Sequence, residues 1–156
     1  MSGATVLQNG RAKAYRPLAA ADRRRAYEAA LAAYERGDFF EAHELLEPAW
    51  MGTDDLAERA LHQGLIKLAA AFVHGVRGNP AGIAKNLAGA RLHLTATAGS
   101  APAAASGLDV EALIAAIDGR LAQLAAHPTA ASIEPPALPR TDASARTDAS
   151  ARTAGR

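Results

Sequence analysis

The stretch GDFFEAHELLEPAW, Gly37–Trp50, carries a helix start signal followed by an unusual set of charged groups. Gly37 is a typical residue to end a preceding helix, and Asp38 is a good N-cap for the next one. Glu41, three residues after Asp38, completes an Asp-x-x-Glu form of the capping box. We therefore predict structural roles for Asp38 and Glu41. The new helix should be interrupted near Pro48, because proline lacks a backbone N–H.

Inside this helix, His43 and Glu47 are four residues apart and therefore lie on nearly the same line of the helix surface. A helical projection places apolar residues on both sides of this pair: Phe39, Phe40, Leu46 and Trp50. A carboxylate on an apolar face needs a hydrogen-bonded partner, a proton or a cation. We therefore predict that His43 and Glu47 point into an interior polar pocket. Glu44 should lie at its edge, and Trp50 should have a structural role.

Four more helices are predicted from apolar residues that recur every three or four positions. They cover about 21–36, 54–77 and 80–97, and a last helix capped by Asp109. Gly78 is suited to end the third helix of the chain, and Pro80 to begin the fourth. The small residues of Ala98–Gly107 indicate a loop. The fold class that follows is all-α, a compact single-domain bundle of about five helices over residues 20–127.

Composition supports one helical domain and excludes several classes of function. The 156 residues are 49% hydrophobic but only 4% aromatic, which favours close-packed helices over bulky sheet layers. The formal charge of +1 provides no global field for nucleic acid, so no nucleic-acid partner is expected. The absence of cysteine excludes disulfides and thiolate chemistry. No segment has the length and apolarity of a membrane span or signal peptide, which predicts a cytoplasmic protein without a membrane partner.

The two ends of the chain lack helical periodicity. We expect residues 1–19 to form an irregular arm. Residues 128–156 include the repeat RTDASA at Arg140–Ala145 and again at Arg146–Ala151. Such a low-complexity segment has almost no large apolar side chain to offset the entropy lost on ordering. We therefore expect 128–156 to be a disordered tail.

The third predicted helix combines an apolar stripe with a polar arc. The stripe consists of Leu61, Leu65, Leu68 and Phe72, and the opposite arc contains Arg59, Gln63, Lys67, His74 and Arg77. If this arc meets His43 and Glu47, the two helices enclose a polar pocket. Otherwise the arc is the solvated face of an amphipathic helix.

Three stretches together resemble the bacterial family called domain of unknown function 309: FFEAHELLEPAW, LHQGLIKLAAAFVHGVRGN and PAGIAKNLAGARLHL. The resemblance covers about residues 21–98 and implies a small all-helical domain whose activity is not established. It draws attention to Glu41, His43, Glu44, Glu47, Trp50, Gln63, His74, Arg77, Gly78 and Asn79. Lys67 departs from the pattern, where glutamine is expected, and Pro48 follows the motif glutamate. The Lys67 cation would oppose a neighbouring metal ion electrostatically.

Our first hypothesis is a structural or interaction module. In it, His43, Glu47, Gln63 and His74 form an interior hydrogen-bond network that fixes the register of the helices. The remaining histidines, His62, His93 and His127, are each isolated in the sequence and are assigned structural or solvent-facing positions. A homodimer stays open, because short helical domains often bury a leftover apolar stripe against a second copy.

A second hypothesis is a metal-dependent hydrolase or oxidase-like site. Histidine and carboxylate ligands suit zinc, manganese or iron, and helical bundles build such sites from facing side chains. The ligands would be His43, Glu44, Glu47 and His74. The spacing matches neither H-E-x-x-H nor the paired E-x-x-H of carboxylate-bridged metal sites.

A third hypothesis is metal-free binding of a small anionic ligand. Here His43, oriented by Glu47, would supply acid–base chemistry, so these two residues are the catalytic candidates. Four residues would bind the anion, the last of them at the amino end of the fourth helix: Gln63, Lys67, Arg77 and Asn79.

Overall fold

The computed structural model describes residues 4–8, 10–75, 80–127 and 133–141, apart from the side chains of residues 74 and 75. Arg77, Gly78 and Asn79 lie outside the described residues, as does the side chain of His74. The elements are β1 (Ala4–Gln8), β2 (Arg11–Tyr15), α1 (Ala20–Glu35), α2 (Phe39–Met51), α3 (Leu56–Gly75), α4 (Pro80–Thr97), α5 (Ala101–Ala105) and α6 (Val110–Ala126).

The predicted helical bundle is confirmed, with α3 at its centre. This helix packs most extensively against α4 and also against α2, while α2 packs against α1 and α4 against α6. Its predicted apolar stripe, Leu61, Leu65, Leu68 and Phe72, is buried. Close approach of α3 to α4 depends on Gly64, where an ideal Cβ would lie 2.7 Å from Cγ of Leu94. The core therefore forms around α3, which packs directly against α2 and α4, while α1 and α6 pack on those two helices.

The start of α2 agrees with the sequence only in part. Oδ1 of Asp38 accepts a hydrogen bond from the backbone N–H of Glu41 at 3.2 Å, as expected of an N-cap. The Glu41 carboxylate instead accepts from Arg36 at 2.7 Å, and the N–H of Asp38 donates to the carbonyl of Ala33. The reciprocal half of the predicted capping box is therefore wrong, because the turn between α1 and α2 already uses the Asp38 N–H.

The predicted interruption at Pro48 is also wrong. The helix α2 continues through Pro48 to Met51. Proline removes the hydrogen bond to the carbonyl of Glu44, but Pro48 is exposed, so water can hydrate that carbonyl. One missing bond at the surface does not outweigh the packing of α2 on the core.

The expected loop at Ala98–Gly107 contains a short helix, α5. Ser100 caps it by accepting a hydrogen bond from the N–H of Ala103 at 3.2 Å. Gly99 and Gly107 flank the helix with φ of 80° and 77°, a backbone conformation that favours glycine. The described residues thus contain six helices, one more than predicted.

The expected irregular arm at the amino terminus contains a β-hairpin. The strands β1 and β2 pair in antiparallel fashion, from Ala4 opposite Tyr15 to Gln8 opposite Arg11. After the hairpin, the N–H groups of Arg16 and Leu18 donate to the carbonyls of Met51 and Gly52 at 2.8 and 3.0 Å. These bonds attach the hairpin to the end of α2.

Residues 133–141, within the expected disordered tail, pack against the bundle. Leu138 is buried, and the Tyr34 hydroxyl donates to the carbonyl of Pro136 at 2.7 Å. The backbone N–H of Asp109 donates to the carbonyl of Pro139, also at 2.7 Å. The expected tail is therefore wrong for this segment, because it contains apolar residues and carbonyls that the bundle uses. Residues 142–156, with most of the repeats, lie outside the described part.

Among the described residues, no helix combines the length and the apolar character that crossing a membrane requires.

Candidate functional site

The predicted polar residues of α2, His43, Glu44 and Glu47, lie next to one another but are not joined by hydrogen bonds of normal length. Nδ1 of His43 lies 3.6 Å from Oε1 of Glu44, and Nε2 of His43 lies 3.6 Å from Oε1 of Glu47. Both distances exceed those of normal hydrogen bonds. The side chains of Glu44 and Glu47 are 55% and 47% exposed, while that of His43 is 28% exposed.

The interior placement of this group is therefore wrong for Glu47. The residues that α2 buries most fully are Ala42, Leu46 and Ala49. His43 and Glu47 each follow one of these residues and so lie about 100° further around the helix. Phe40, which the projection placed beside them as an apolar neighbour, is 63% exposed. The apolar face of α2 is centred one residue earlier than predicted.

The metal ligand set remains a prediction. Across the described part of the chain, no three His, Asp or Glu side chains are arranged to hold a metal ion. His43, Glu44 and Glu47 are near one another but do not meet that condition, and the His74 side chain is not described. Nδ1 of His43 is buried and has no hydrogen-bond partner among the described residues.

A cleft of about 380 Å³ lies where the hairpin meets the helices. The side chains around it are Gln8, Arg11, Lys13, Trp50, Gln63, Lys67 and His93. Three of these side chains are permanent cations, one is a histidine, and none is a carboxylate. We refer to it as the cationic cleft.

Local structure explains how the charged groups reach the cationic cleft. Arg11 and Lys13 are two residues apart on β2 and therefore project from the same face of the hairpin. Gln63 and Lys67 are four apart on α3 and share one line of that helix. An ideal Cβ at Gly89 of α4 would lie 3.5 Å from both Cγ and Cδ of Lys67. The stem of Lys67 therefore passes over α4 at Gly89, at a distance that corresponds to ordinary van der Waals contact.

Positive charge dominates the electrostatics of the cationic cleft. Arg11, Lys13 and Lys67 form no ion pair with the described residues. The pKa of His93 is lowered by burial and, in smaller part, by the charges of Lys67 and Lys13. Neutral imidazole is therefore the favoured form of His93 at neutral pH, and it avoids adding a further positive charge.

A buried arginine lies behind the cationic cleft. Arg59, predicted on the polar arc of the third helix, is completely buried, and burial lowers its pKa. Its guanidinium donates to the Gln8 side-chain oxygen at 3.2 Å and to the carbonyls of Thr53 and Ala14 at 3.0 and 3.1 Å. The Gln8 oxygen also accepts from Trp50 Nε1 at 3.1 Å. All these acceptors are neutral, so none of the described hydrogen-bond partners of Arg59 compensates its charge.

Sequence reasoning found part of this cleft. Gln63 and Lys67, predicted as ligand-binding residues, line it together, and Trp50 forms a wall. His43 and Glu47 are not among the lining residues. Arg11, Lys13 and His93 were missed, because only the tertiary position of the hairpin brings them to α3 and α4. The alternation in RAKAY, residues 11–15, was the one available signal of a strand with two cations on one face.

Residues 27–86 match the family model described as Domain of unknown function (DUF309). No curated protein and no solved structure matches the chain. The matched segment runs from within α1 to within α4, so it includes Trp50, Gln63 and Lys67 of the cationic cleft but neither the hairpin nor His93. The resemblance that the three motif stretches indicated is therefore confirmed over residues 27–86, the segment in which this chain is similar to the DUF309 family.

Proposed function

We propose that the cationic cleft binds a small anionic molecule that carries a phosphate or carboxylate group. The observation that carries this proposal is the composition of the cleft: three cations and a histidine surround about 380 Å³, and none of the described residues that line it is a carboxylate. Like charges held close together repel, and an anion between them removes that repulsion. An anion-binding site therefore best accounts for the clustering of these cations.

The dimensions of the cleft favour a small molecule. Ligand sites for small molecules typically have volumes of about 300–1,000 Å³ and combine an aromatic or apolar wall with a few polar groups. Trp50 supplies the wall, Gln8 and Gln63 supply amide groups, and Arg11 supplies a guanidinium suited to two oxygens of one phosphate or carboxylate. Buried Arg59 adds positive potential behind Gln8.

This proposal takes the anion hypothesis ahead of the other two. The structural network would use His43, Glu47, Gln63 and His74, yet His43 Nδ1 lacks a partner among the described residues, and Gln63 lines the cationic cleft, whose lining does not include His43. A metal ion near Gln63 would meet the Lys67 cation, which opposes its binding.

Titration with inorganic phosphate at constant ionic strength tests the proposal, with heat of binding as the readout. Lys67→Met should weaken phosphate binding by about tenfold or more, since a charge-assisted hydrogen bond contributes about 1.5–3 kcal/mol. Lys85→Met is the matched control, because Lys85 is an exposed lysine of α4 that does not line the cleft. Equal phosphate affinity in the Lys67 and Lys85 variants would refute the assignment.

A further inference from the structure

The polar groups that line the cationic cleft are mainly hydrogen-bond donors. Three of the lining side chains are cations that carry donors and no acceptor: Arg11, Lys13 and Lys67. The side-chain oxygen of Gln8 accepts from Trp50 at 3.1 Å and from Arg59 at 3.2 Å. Both lone pairs of that oxygen are thus used, and the polar group that Gln8 has left to offer is its NH₂ donor. The ligand group that fits this cleft therefore accepts several hydrogen bonds and donates none.

These lining groups are accessible to a ligand from solvent. Arg11 is exposed, and the other charged or polar side chains of the lining, apart from Gln8, are half-buried: Lys13, Gln63, Lys67 and His93. None of these five side chains forms a hydrogen bond with another described residue. Their donors are therefore free to bind a ligand without breaking a bond that the described fold uses.

The charge of the lining distinguishes between the two anionic groups that the proposed function allows. Arg11, Lys13 and Lys67 carry one positive charge each, and burial, with the charges of Lys67 and Lys13, lowers the pKa of His93 and keeps its imidazole neutral. A carboxylate ligand carries one negative charge and leaves two of the three cations uncompensated. A phosphate monoester above its second pKa of about 6 carries nearly two negative charges and three acceptor oxygens. It therefore compensates the lining more fully.

We propose that the anion bound in the cationic cleft is the dianionic phosphate group of a phosphate monoester. The inference rests on the proposed function and narrows its ligand to one chemical class. The Arg11 guanidinium is suited to two phosphate oxygens, and the ammonium groups of Lys13 and Lys67 supply donors for the third. A phosphodiester, the group of a nucleic-acid backbone, carries one charge and two free oxygens, so it matches this lining less well.

Methyl phosphate and methyl sulfate are a matched pair of probes, because both are tetrahedral and of similar size, and at about pH 8 they differ by nearly one charge. The heat of binding to the full chain is measured for each probe at constant ionic strength. Methyl phosphate should bind at least about tenfold more tightly, because each cation of the lining also attracts the second charge. Equal affinities, or tighter binding of methyl sulfate, would overturn the inference and leave an anion site in place. If neither probe binds, the inference is overturned, and the titration with inorganic phosphate shows whether the proposed function fails with it.

A second test removes one cation from the hairpin side of the cleft. Because Coulomb energy is proportional to the charge of the ligand, Lys13→Gln should weaken methyl phosphate more than methyl sulfate, and the ratio of the two affinities should fall by about threefold or more. Lys85→Gln, at an exposed position of α4 outside the lining, should keep the ratio of the original chain. The fluorescence of Trp50, whose Nε1 donates to Gln8 of the hairpin, shows whether the hairpin stays in place. An unchanged ratio in the Lys13 variant would overturn the inference.

Discussion

The guanidinium carbon of Arg59 lies 4.5 Å from the centre of the Trp50 ring, and both side chains donate to the same oxygen of Gln8. Through this relationship α2, α3 and the hairpin are joined at one point. The planar guanidinium donates to the Gln8 side chain and to the carbonyls of Thr53 and Ala14. The compact ammonium group of a lysine cannot reach all three acceptors with the same geometry.

Arg59→Lys should therefore destabilise the fold by about 1–3 kcal/mol, because at least one buried acceptor loses its donor. Urea unfolding measures the change. Arg16→Lys, at an exposed arginine just after β2, is the control and should change the free energy of unfolding by less than about 0.5 kcal/mol. Equal stability of the Arg59 variant and the original chain would contradict the role given to the guanidinium.

The Glu58 carboxylate should contribute to acid sensitivity. Burial alone would raise the pKa of Glu58, but hydrogen bonds from His62 and Arg23 lower it to about 2 in the folded chain, against an ordinary value of 4.5. Because this pKa is lowered, the ionised carboxylate contributes to the free energy of unfolding in full above about pH 4.5, and the contribution is lost as the pH falls towards 2. The shift corresponds to at most about 3 kcal/mol, and less after allowance for the partial solvation of the carboxylate.

Unfolding free energies measured from pH 6 down to pH 2, a range of about four units that spans both pKa values, check this expectation. Glu58→Gln should flatten the decline below about pH 4.5. Glu111→Gln, at an exposed position of α6, should leave most of the decline in place. The same decline in the Glu58 variant and the original chain would contradict the assignment.

Gly64 should tolerate no larger side chain. An added Cβ would lie 2.7 and 2.8 Å from Cγ and Cδ2 of Leu94, whose side chain is fully buried and cannot move away cheaply. Gly64→Ala should cost about 1–3 kcal/mol through overpacking. At Gly89 the same addition makes ordinary contact with Lys67, so Gly89→Ala should be neutral or stabilise α4 by up to about 1 kcal/mol. Melting temperatures of the two variants should move in clearly different ways.

The segment 133–141 should stabilise the bundle. Truncation after residue 132 removes buried Leu138 and the acceptor of the Tyr34 hydroxyl, and should cost at least about 2 kcal/mol. Truncation after residue 141 keeps both and serves as the control. Equal unfolding free energies of the two shortened chains would show that the segment contributes nothing.

The cationic cleft can also be tested without a ligand. Since Lys67 contributes to lowering the pKa of His93, Lys67→Gln should raise that pKa. Lys85→Gln changes charge on the same helix as His93 but outside the cleft lining, and should have the smaller effect. Titration of the His93 imidazole by NMR gives the comparison. An unchanged His93 pKa in the Lys67 variant would contradict the placement of Lys67 beside His93 in the cationic cleft.

The sequence predicted the parts of the fold that local chemistry determines. Asp38 and Asp109 cap helices as expected, and the fourth helix begins at Pro80 and ends at Thr97 as predicted. The hairpin and residues 133–141 were missed, because each depends on contacts with distant segments. The single turn of α5 was too short to show a period.

The candidate site was predicted less well. Gln63 and Lys67 were identified. The buried face of α2 was predicted one residue too late, so Glu47 was expected in the interior, whereas its side chain is about half exposed. Glu58 and His62 are four apart in ERALH, residues 58–62, and that spacing was available in the sequence. The ion pair of Glu58 with Arg23, 35 residues away in the chain, could only come from the structure.

The hairpin lies outside the segment that matches the family, yet it contributes two of the three permanent cations of the cationic cleft. The cleft is thus formed jointly by a helical wall inside the matched segment and a hairpin outside it. The matched segment contributes Trp50, Gln63 and Lys67, and the hairpin contributes the facing charges of Arg11 and Lys13. Similarity to the family over residues 27–86 therefore does not by itself carry the anion-binding proposal, which depends equally on the two cations of the hairpin.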